Sequence, residues 1–89
     1  MHQEVEYRAY VLIKVQSGKD LEVFEKVKNL QNRYPIEEIA TVYGDYDVIT
    51  KIQITRPQIL EEFIFNGLRQ IPNITETKTL LTARYVECK

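Results

Sequence analysis

Chemically useful side chains in this chain are concentrated in one short segment, Tyr43-Gly44-Asp45-Tyr46-Asp47. The segment combines a glycine that can adopt positive φ, two carboxylates, and two tyrosines with apolar rings and polar hydroxyls. Such a loop can offer backbone N–H groups to a carboxylate and side-chain carboxylates to an ammonium group, the two charged ends of a free amino acid. The alternative is a hairpin turn in which the aspartates only satisfy their own backbone.

Groups suited to catalysis or metal binding are scarce. His2 is the only histidine and stands near the N-terminus, where little structure would support imidazole chemistry. Cys88 is the only cysteine, so neither an intrachain disulfide nor a Cys-x-x-Cys site can form. The sequence contains no glycine-rich phosphate loop, and adjacent acids such as Glu37-Glu38 diverge on their element. We therefore predict a binding protein with no enzymatic activity, no cofactor and no metal.

Length predicts the number of domains, and charge and hydropathy exclude some classes of partner. The chain has 89 residues and a net charge of −1, which predicts one regulatory or ligand-binding domain, 1–89, with its core at about 8–86. Its basic residues are dispersed among acids, which argues against direct binding of nucleic acid. No apolar run is long enough to span a membrane, and the acidic start does not resemble a signal peptide. We expect a cytoplasmic protein with no membrane partner.

The first half of the chain predicts a strand, a helix and a second strand. Residues 9–15 are rich in β-branched and aromatic types, and a Ser-Gly turn follows them. From Asp20, which we expect to cap the helix, apolar residues recur at helical spacing until Pro35 ends the pattern. The second strand is predicted over residues 38–43.

The second half repeats this order. Residues 48–54 form an extended apolar segment after the loop, so strands two and three are predicted to pair as a hairpin. Thr55 with Gln58 fits a capping box, and an apolar stripe at helical spacing follows. The stripe consists of Ile59, Leu60, Phe63, Ile64, Leu68 and Ile71. A fourth strand is predicted over 74–85, with Leu81 and Tyr85 on the same face.

The two halves also share a detailed pattern. The run Val11-Leu12-x-Lys14-Val15-Gln16 recurs 37 positions later as Val48-Ile49-x-Lys51-Ile52-Gln53. Two equivalent β-α-β units form the ferredoxin-like α+β fold, a βαββαβ chain with a four-stranded antiparallel sheet and both helices on one face. The alternative is that similar strands simply favour similar residues.

The face of the sheet away from the helices is predicted to be apolar. If β-strand alternation turns residues such as Val11 toward the helices, it turns Tyr10, Leu12, Ile49 and Leu80 to the other face. A patch of this kind usually marks an interface, so we predict a homo-oligomer built on dimers that pack sheet face to sheet face with twofold symmetry. The alternative is scattered apolar residues left in water.

Three ordered features resemble the effector-binding (RAM) domain of the Lrp/AsnC (feast/famine) transcription regulators. They are the element order, the pair Gly44-x-x-Asp47 before an apolar strand, and the run Ile71-Pro72-Asn73-Ile74-x-x-Thr77-x-Thr79. The resemblance covers about residues 8–86 and implies dimers that assemble into tetramers, octamers or rings, with a small amino-acid effector bound between dimers. It places Gly44, Asp45, Tyr46 and Asp47 at the effector site, together with Thr77 and Thr79.

Full-length members of that family carry an N-terminal helix-turn-helix, whereas only about seven residues precede the first strand here. The resemblance therefore implies a stand-alone sensor domain that modulates transcription through co-assembly with full-length Lrp/AsnC-type regulators or another protein. Two alternatives stay open. One is a purely structural oligomerisation module. The other is a dimeric α+β barrel enzyme of the monooxygenase or haem-degrading type, although such sites generally use histidine, tryptophan or asparagine.

Overall fold

The elements of the chain follow the predicted order. The computed structural model describes residues 7–88, so His2 lies outside the described residues. The strands and helices are β1 (Tyr7–Val15), α1 (Asp20–Asn29), β2 (Ile36–Thr41), β3 (Val48–Ile54), α2 (Pro57–Glu62) and β4 (Ile74–Leu81). Between residues 7 and 88 no helix has the length and apolar character needed to cross a membrane.

The four strands form one sheet in the order β2-β3-β1-β4, and every neighbouring pair is antiparallel. This topology confirms the predicted ferredoxin-like fold. Leu12 of β1 pairs directly with Ile49 of β3, and these two residues occupy equivalent positions in the sequence repeat. The two repeated strands therefore lie side by side at the centre of the sheet, related by a pseudo-twofold axis close to this pair.

One face of the sheet packs against the helices and forms the core. In β1 the side chains of Ala9, Val11 and Ile13 are fully buried, and in β3 the same holds for Val48 and Ile52. The helices contribute Val23, Val27, Phe63 and Leu68 to this core. Burying these apolar side chains is the main favourable contribution to folding.

Both predicted helix caps are wrong. Asp20 is the first residue of α1 rather than its cap, and the capping residue Lys19 makes no side-chain hydrogen bond to the helix end. Asp20 still lies in the first turn, where a carboxylate interacts favourably with the helix dipole. Arg56, and not Thr55, precedes α2, again without a side-chain cap, because a guanidinium group has no acceptor for the free N–H groups of the helix. Pro57 is tolerated at the start of this helix, where its missing N–H would have had no partner within the helix.

The second helical segment changes its winding partway. After Glu62 the chain forms a wider π-helical turn, Phe63–Gly67, and then a tighter 3₁₀ turn, Leu68–Gln70. Residues five apart on a regular α-helix point in well separated directions, but the wider turn lets both Phe63 and Leu68 be fully buried. A Cβ atom on Gly67 would lie 3.2 Å from Leu30 Cδ1, so glycine permits close packing against the turn after α1.

The second strand begins two residues earlier than predicted, at Ile36 instead of residue 38, and ends at Thr41. The register against β3 shifts between Ile36 and Glu38, which leaves Glu37 in a β-bulge. Pro35 contributes to this early start because its carbonyl accepts a hydrogen bond from Gln53 N–H at 3.0 Å.

The fourth strand ends earlier than predicted, at Leu81 instead of residue 85. Thr82 donates its N–H to the Arg8 carbonyl at 2.9 Å, and the chain then leaves the ladder. The predicted placement of Tyr85 beside Leu81 is wrong, because Tyr85 crosses to the face away from the helices. There its ring centroid lies 4.4 Å from Arg8 Cζ, and its hydroxyl accepts a hydrogen bond from Lys51 Nζ at 2.9 Å.

Because the π-helical turn buries Leu68, a substitution of this residue should lower the stability of the fold. We expect Leu68→Ala to lower the free energy of unfolding by about 2–5 kcal/mol, because it removes a fully buried side chain and leaves a cavity. Leu21→Ala is the matched control, since 71% of Leu21 is exposed, and it should change stability by about 0.5 kcal/mol or less. Urea denaturation followed by circular dichroism measures both; equal losses would contradict the inward placement of Leu68.

Candidate functional site

The segment between β2 and β3 is held onto the end of β1. Val42 N–H donates to the Asp47 carbonyl at 2.9 Å and closes the loop, and Asp47 N–H donates to the Ile13 carbonyl at 2.9 Å. Gly44 has φ 130°, a conformation that side-chain-bearing residues rarely adopt. The loop therefore has a defined backbone shape that depends on glycine at position 44.

The carboxylate of Asp47 has a structural partner. Its Oδ2 accepts a hydrogen bond at 2.9 Å from Val15 N–H, at the end of β1. Lys14 Nζ donates to the Asp45 carbonyl at 2.9 Å and ties down the middle of the loop. The alternative to a ligand loop was a turn in which the aspartates bond their own backbone. Asp47 does accept a backbone hydrogen bond, but the N–H group belongs to β1 and not to the loop itself.

Other polar groups of the loop are available to a ligand. Tyr43 is fully exposed, and Asp45 is also exposed. Among the hydrogen bonds between residues 7 and 88, none uses the N–H groups of Gly44, Asp45 or Tyr46 as donors. The loop can therefore donate backbone hydrogen bonds to an anion and accept a cation at Asp45, as its composition suggests.

Tyr46 connects the loop to β4. Its hydroxyl donates to Glu76 Oε2 at 2.9 Å, and Lys14 Nζ lies 5.8 Å from the centroid of its ring. The hydrogen bond to the Glu76 carboxylate raises the pKa of the Tyr46 phenol above its ordinary value, with smaller contributions from burial and from the charges of Glu76 and Asp45. Lys14 and Glu76 were not among the predicted site residues, although Glu76 directly precedes the predicted Thr77.

The two predicted threonines lie elsewhere. Thr77 is opposite Ile13 and Thr79 is opposite Val11, two residues of β1 that face the helices. Within the described chain no hydrogen bond joins either threonine to the loop. The structure thus brings residues 44–47 together with Glu76, while Thr77 and Thr79 belong to the other side of the sheet.

The outer face, as we call the sheet face away from the helices, carries the four predicted interface residues. Tyr10 is directly opposite Leu80, and Leu12 is directly opposite Ile49, so the four form one patch across three strands. Leu80 is 50% exposed, and the other three are half-buried. Together they present an apolar surface at the centre of the sheet.

A charged cluster borders this patch. Arg8 Nε donates to Glu37 Oε1, and Lys51 Nζ lies 3.4 Å from Glu38 Oε2. Arg8 and Lys51 are both buried, partly beneath the ring of Tyr85. The hydrogen bond with Tyr85 is the largest of the effects that raise the pKa of Lys51, followed by the hydrogen bond and charge of Glu38. The ammonium group therefore stays charged at neutral pH.

A ferredoxin-like sheet whose polar loop is hydrogen-bonded to the end of β1 is typical of a small ligand-binding domain. Residues 8–87 match the sequence profile of the Lrp/AsnC ligand binding domain. The chain therefore belongs to the Lrp/AsnC family of transcription regulators, in which this domain has an effector-binding and not a catalytic role. The resemblance drawn from the residues is confirmed.

Relatives support the same assignment. The chain is 33% identical over 76 residues to the HTH-type transcriptional regulator FL11 of Pyrococcus abyssi, which covers 85% of this chain and 48% of the relative. It thus spans about half the length of the curated relatives it matches. The crystal structure of FFRP-DM1 is 32% identical with a TM-score of 0.74, over 85% of this chain and 97% of that one.

A more distant structure shares the fold alone. The complex of the transcriptional regulator NMB0573 with L-Met, from Neisseria meningitidis, is 11% identical with a TM-score of 0.72. The similarity covers 92% of this chain and 53% of that one.

The contact between the loop and β4 can be tested by titration. We expect Glu76→Gln to lower the pKa of Tyr46 toward that of an ordinary phenol, about 10, because the strongest cause of its elevation is removed. NMR of tyrosines labelled at Cζ measures this, with Tyr46→Phe identifying the signal. Glu61→Gln, an exposed carboxylate on α2, should leave the pKa unchanged. An unaltered Tyr46 pKa in Glu76→Gln would mean that the hydrogen bond does not form in solution.

Proposed function

We propose that this chain is an amino-acid-sensing domain that assembles through its outer face and modulates transcription indirectly, by co-assembly with DNA-binding relatives. The observation that carries the proposal is the loop at residues 44–47, which is pinned to β1 and yet leaves backbone donors and one carboxylate exposed. Both halves of the proposal, ligand and assembly, depend on surfaces that a single copy leaves open.

The loop suits the charged ends of a free amino acid. Free N–H groups at Gly44, Asp45 and Tyr46 suit its carboxylate, and the Asp45 side chain suits its ammonium group. Asp47 acts in this proposal as a support, since its carboxylate holds the loop to Val15. That NMB0573 is a complex with L-Met supports an amino acid as the ligand class.

Exposure of the loop connects ligand binding with assembly. Tyr43 and Asp45 are open to solvent, so a ligand resting on the loop of one copy would gain burial only when a second copy closes over it. A ligand held between copies stabilises the assembly by mass action, and the assembly raises ligand affinity by the same factor. Thr77 and Thr79 do not reach the loop of their own copy, so in this proposal they contact a ligand held by another copy's loop.

The outer face supplies the dimer contact. A twofold interface is self-complementary, because it brings the same surface of both copies together. The pair Leu12 and Ile49 lies at the centre of the outer face and would form the middle of such a contact. Buried charges prefer to stay paired, so the ion pairs of Arg8 and Lys51 at one end of the face favour a single orientation of the partner. Full-length relatives share this domain, so they are the proposed partners for co-assembly.

The ligand is testable directly. We expect at least one of the twenty amino acids to release or absorb heat on calorimetric titration and to change the particle size in light scattering. Asp45→Asn should weaken that binding about tenfold or more, because a charge-assisted hydrogen bond worth about 1.5–3 kcal/mol is lost while the shape is kept. Glu61→Gln removes an equal charge away from the loop and should leave affinity unchanged.

Two results would contradict this part of the proposal. One is the absence of heat with all twenty amino acids, which would favour a purely structural oligomerisation module. The other is unchanged affinity in Asp45→Asn, which would remove the loop as the ammonium-binding site.

The dimer contact has its own test. Leu12→Glu places a carboxylate at the centre of the outer face, and burying that charge without a partner costs several kcal/mol, so we expect the variant to sediment as a monomer. Leu21→Glu, which introduces the same charge at an exposed position of α1, should sediment like the wild type. If Leu12→Glu keeps the wild-type sedimentation coefficient, the outer face is not the contact.

A further inference from the structure

Residues 82–88, which we call the tail, leave β4 and cross the outer face. Thr82 is bound to Arg8 by two hydrogen bonds, because its N–H donates to the Arg8 carbonyl at 2.9 Å and its Oγ1 accepts from the Arg8 N–H at 3.0 Å. The hydroxyl takes the place that the Thr82 carbonyl would have in the ladder, so the chain can turn out of the sheet here. From β4 the tail passes over β1 and reaches Lys51 on β3.

One side chain holds the tail against the sheet. In the part of the chain that the structure describes, Tyr85 is the only residue after Thr82 whose side chain is hydrogen-bonded to the sheet or stacked on it. Its ring centroid lies 4.4 Å from Arg8 Cζ and 5.3 Å from Lys51 Nζ, and its hydroxyl accepts a hydrogen bond from Lys51 Nζ at 2.9 Å. Tyr85 is half-buried, whereas its two neighbours in the sequence are exposed.

This attachment is weak enough to open. One hydrogen bond and two contacts between a cation and an aromatic ring hold Tyr85 in place. Contacts of this kind are similar in strength to the conformational entropy that the tail loses when it is ordered. The closed and the open tail therefore differ little in free energy, and we expect both to be populated while the rest of the sheet stays folded.

A closed tail takes two cations out of water. Arg8 is 7% exposed and Lys51 is 8% exposed, and both are paired with carboxylates of β2, Glu37 and Glu38. Among the described residues no buried side-chain polar atom lacks a hydrogen-bond partner, so this cluster is complete within one copy. When the tail opens, Lys51 loses its bond to the Tyr85 hydroxyl and water returns to both cations. A second copy that docked on the open form would have to remove that water, which is costly for charged groups.

We propose that the tail gates assembly, because a second copy binds the outer face only when Tyr85 lies on Arg8 and Lys51. The gate rests on the proposed dimer contact and adds its regulation. The closed tail leaves the apolar patch accessible, since Leu80 is 50% exposed. Only copies with a closed tail are competent to dimerise, so the apparent dissociation constant rises as their fraction falls, and a twofold dimer needs a closed tail on each copy. A protein that binds the open tail would therefore dissociate the dimer.

The test compares tail opening with dimerisation in Tyr85→Phe, which loses the hydroxyl but keeps the ring, and in Tyr85→Ala, which loses all three contacts. Trypsin reports opening, because cleavage after the exposed Arg84 requires the tail to leave the sheet and releases residues 85–89 for mass spectrometry. The cleavage rate is measured in the Leu12→Glu background, where no second copy covers the tail. Sedimentation equilibrium of chains with the native Leu12 gives the dissociation constant of the dimer.

We expect cleavage to accelerate about fivefold in Tyr85→Phe and about tenfold or more in Tyr85→Ala, and the dissociation constant to rise in the same order. Glu87→Gln, at an exposed position of the tail, is the control and should change neither quantity. Far-UV circular dichroism should be the same in all variants; if Tyr85→Ala loses structure, Tyr85→Phe decides.

Two results would overturn the gate alone and leave the outer-face contact standing. One is an unchanged cleavage rate in the Tyr85 variants, which would mean that Tyr85 does not hold the tail. The other is faster cleavage with an unchanged or lower dissociation constant, which would mean that a closed tail is not needed for docking. If Leu12→Glu sediments like the wild type, the outer-face contact fails and the gate fails with it.

Discussion

The hydrogen bonding of β1 along both of its edges is the constraint on which the rest of the molecule depends. On one edge it pairs with β3, and on the other with β4. Its last residues also receive the loop, through Asp47 to the Ile13 carbonyl and the Val15 N–H. A strand held in this way cannot shift its register without breaking contacts on both sides, so it fixes where the loop, the outer face and the edge of β4 lie.

The same strand explains why the outer face is both apolar and charged. Alternation sends Arg8, Tyr10 and Leu12 to that face, so a buried arginine and an apolar patch come from neighbouring positions of one strand. Lys51, paired directly with Tyr10, has a raised pKa. Its contribution to stability is therefore complete below the pKa of an unfolded lysine, about 10.4, and is lost only as the pH rises through the higher folded value. At neutral pH a partner would meet a charged, already paired ammonium group.

Sequence patterns correctly predicted the features of the fold that depend on local periodicity. They gave the element order, the bounds of β3 at Val48–Ile54 and the two faces of the central strands. They failed at the starts of both helices and at the end of β4. Asp20 and Thr55 have cap-forming side chains that the structure does not use, and Tyr85 leaves its predicted strand for two cations brought together only by the fold.

The candidate site also has one part that the local sequence predicts and one part that it does not. The loop at 44–47 stands out from composition alone, but its contact with Glu76 depends on the register of β4 against β1, which no local pattern contains. Register also explains why Thr77 and Thr79 turn to the helix side, because they pair with Ile13 and Val11, two residues of β1 that face the helices. Adjacent positions of a strand face opposite ways, so neighbours in a motif need not share a site.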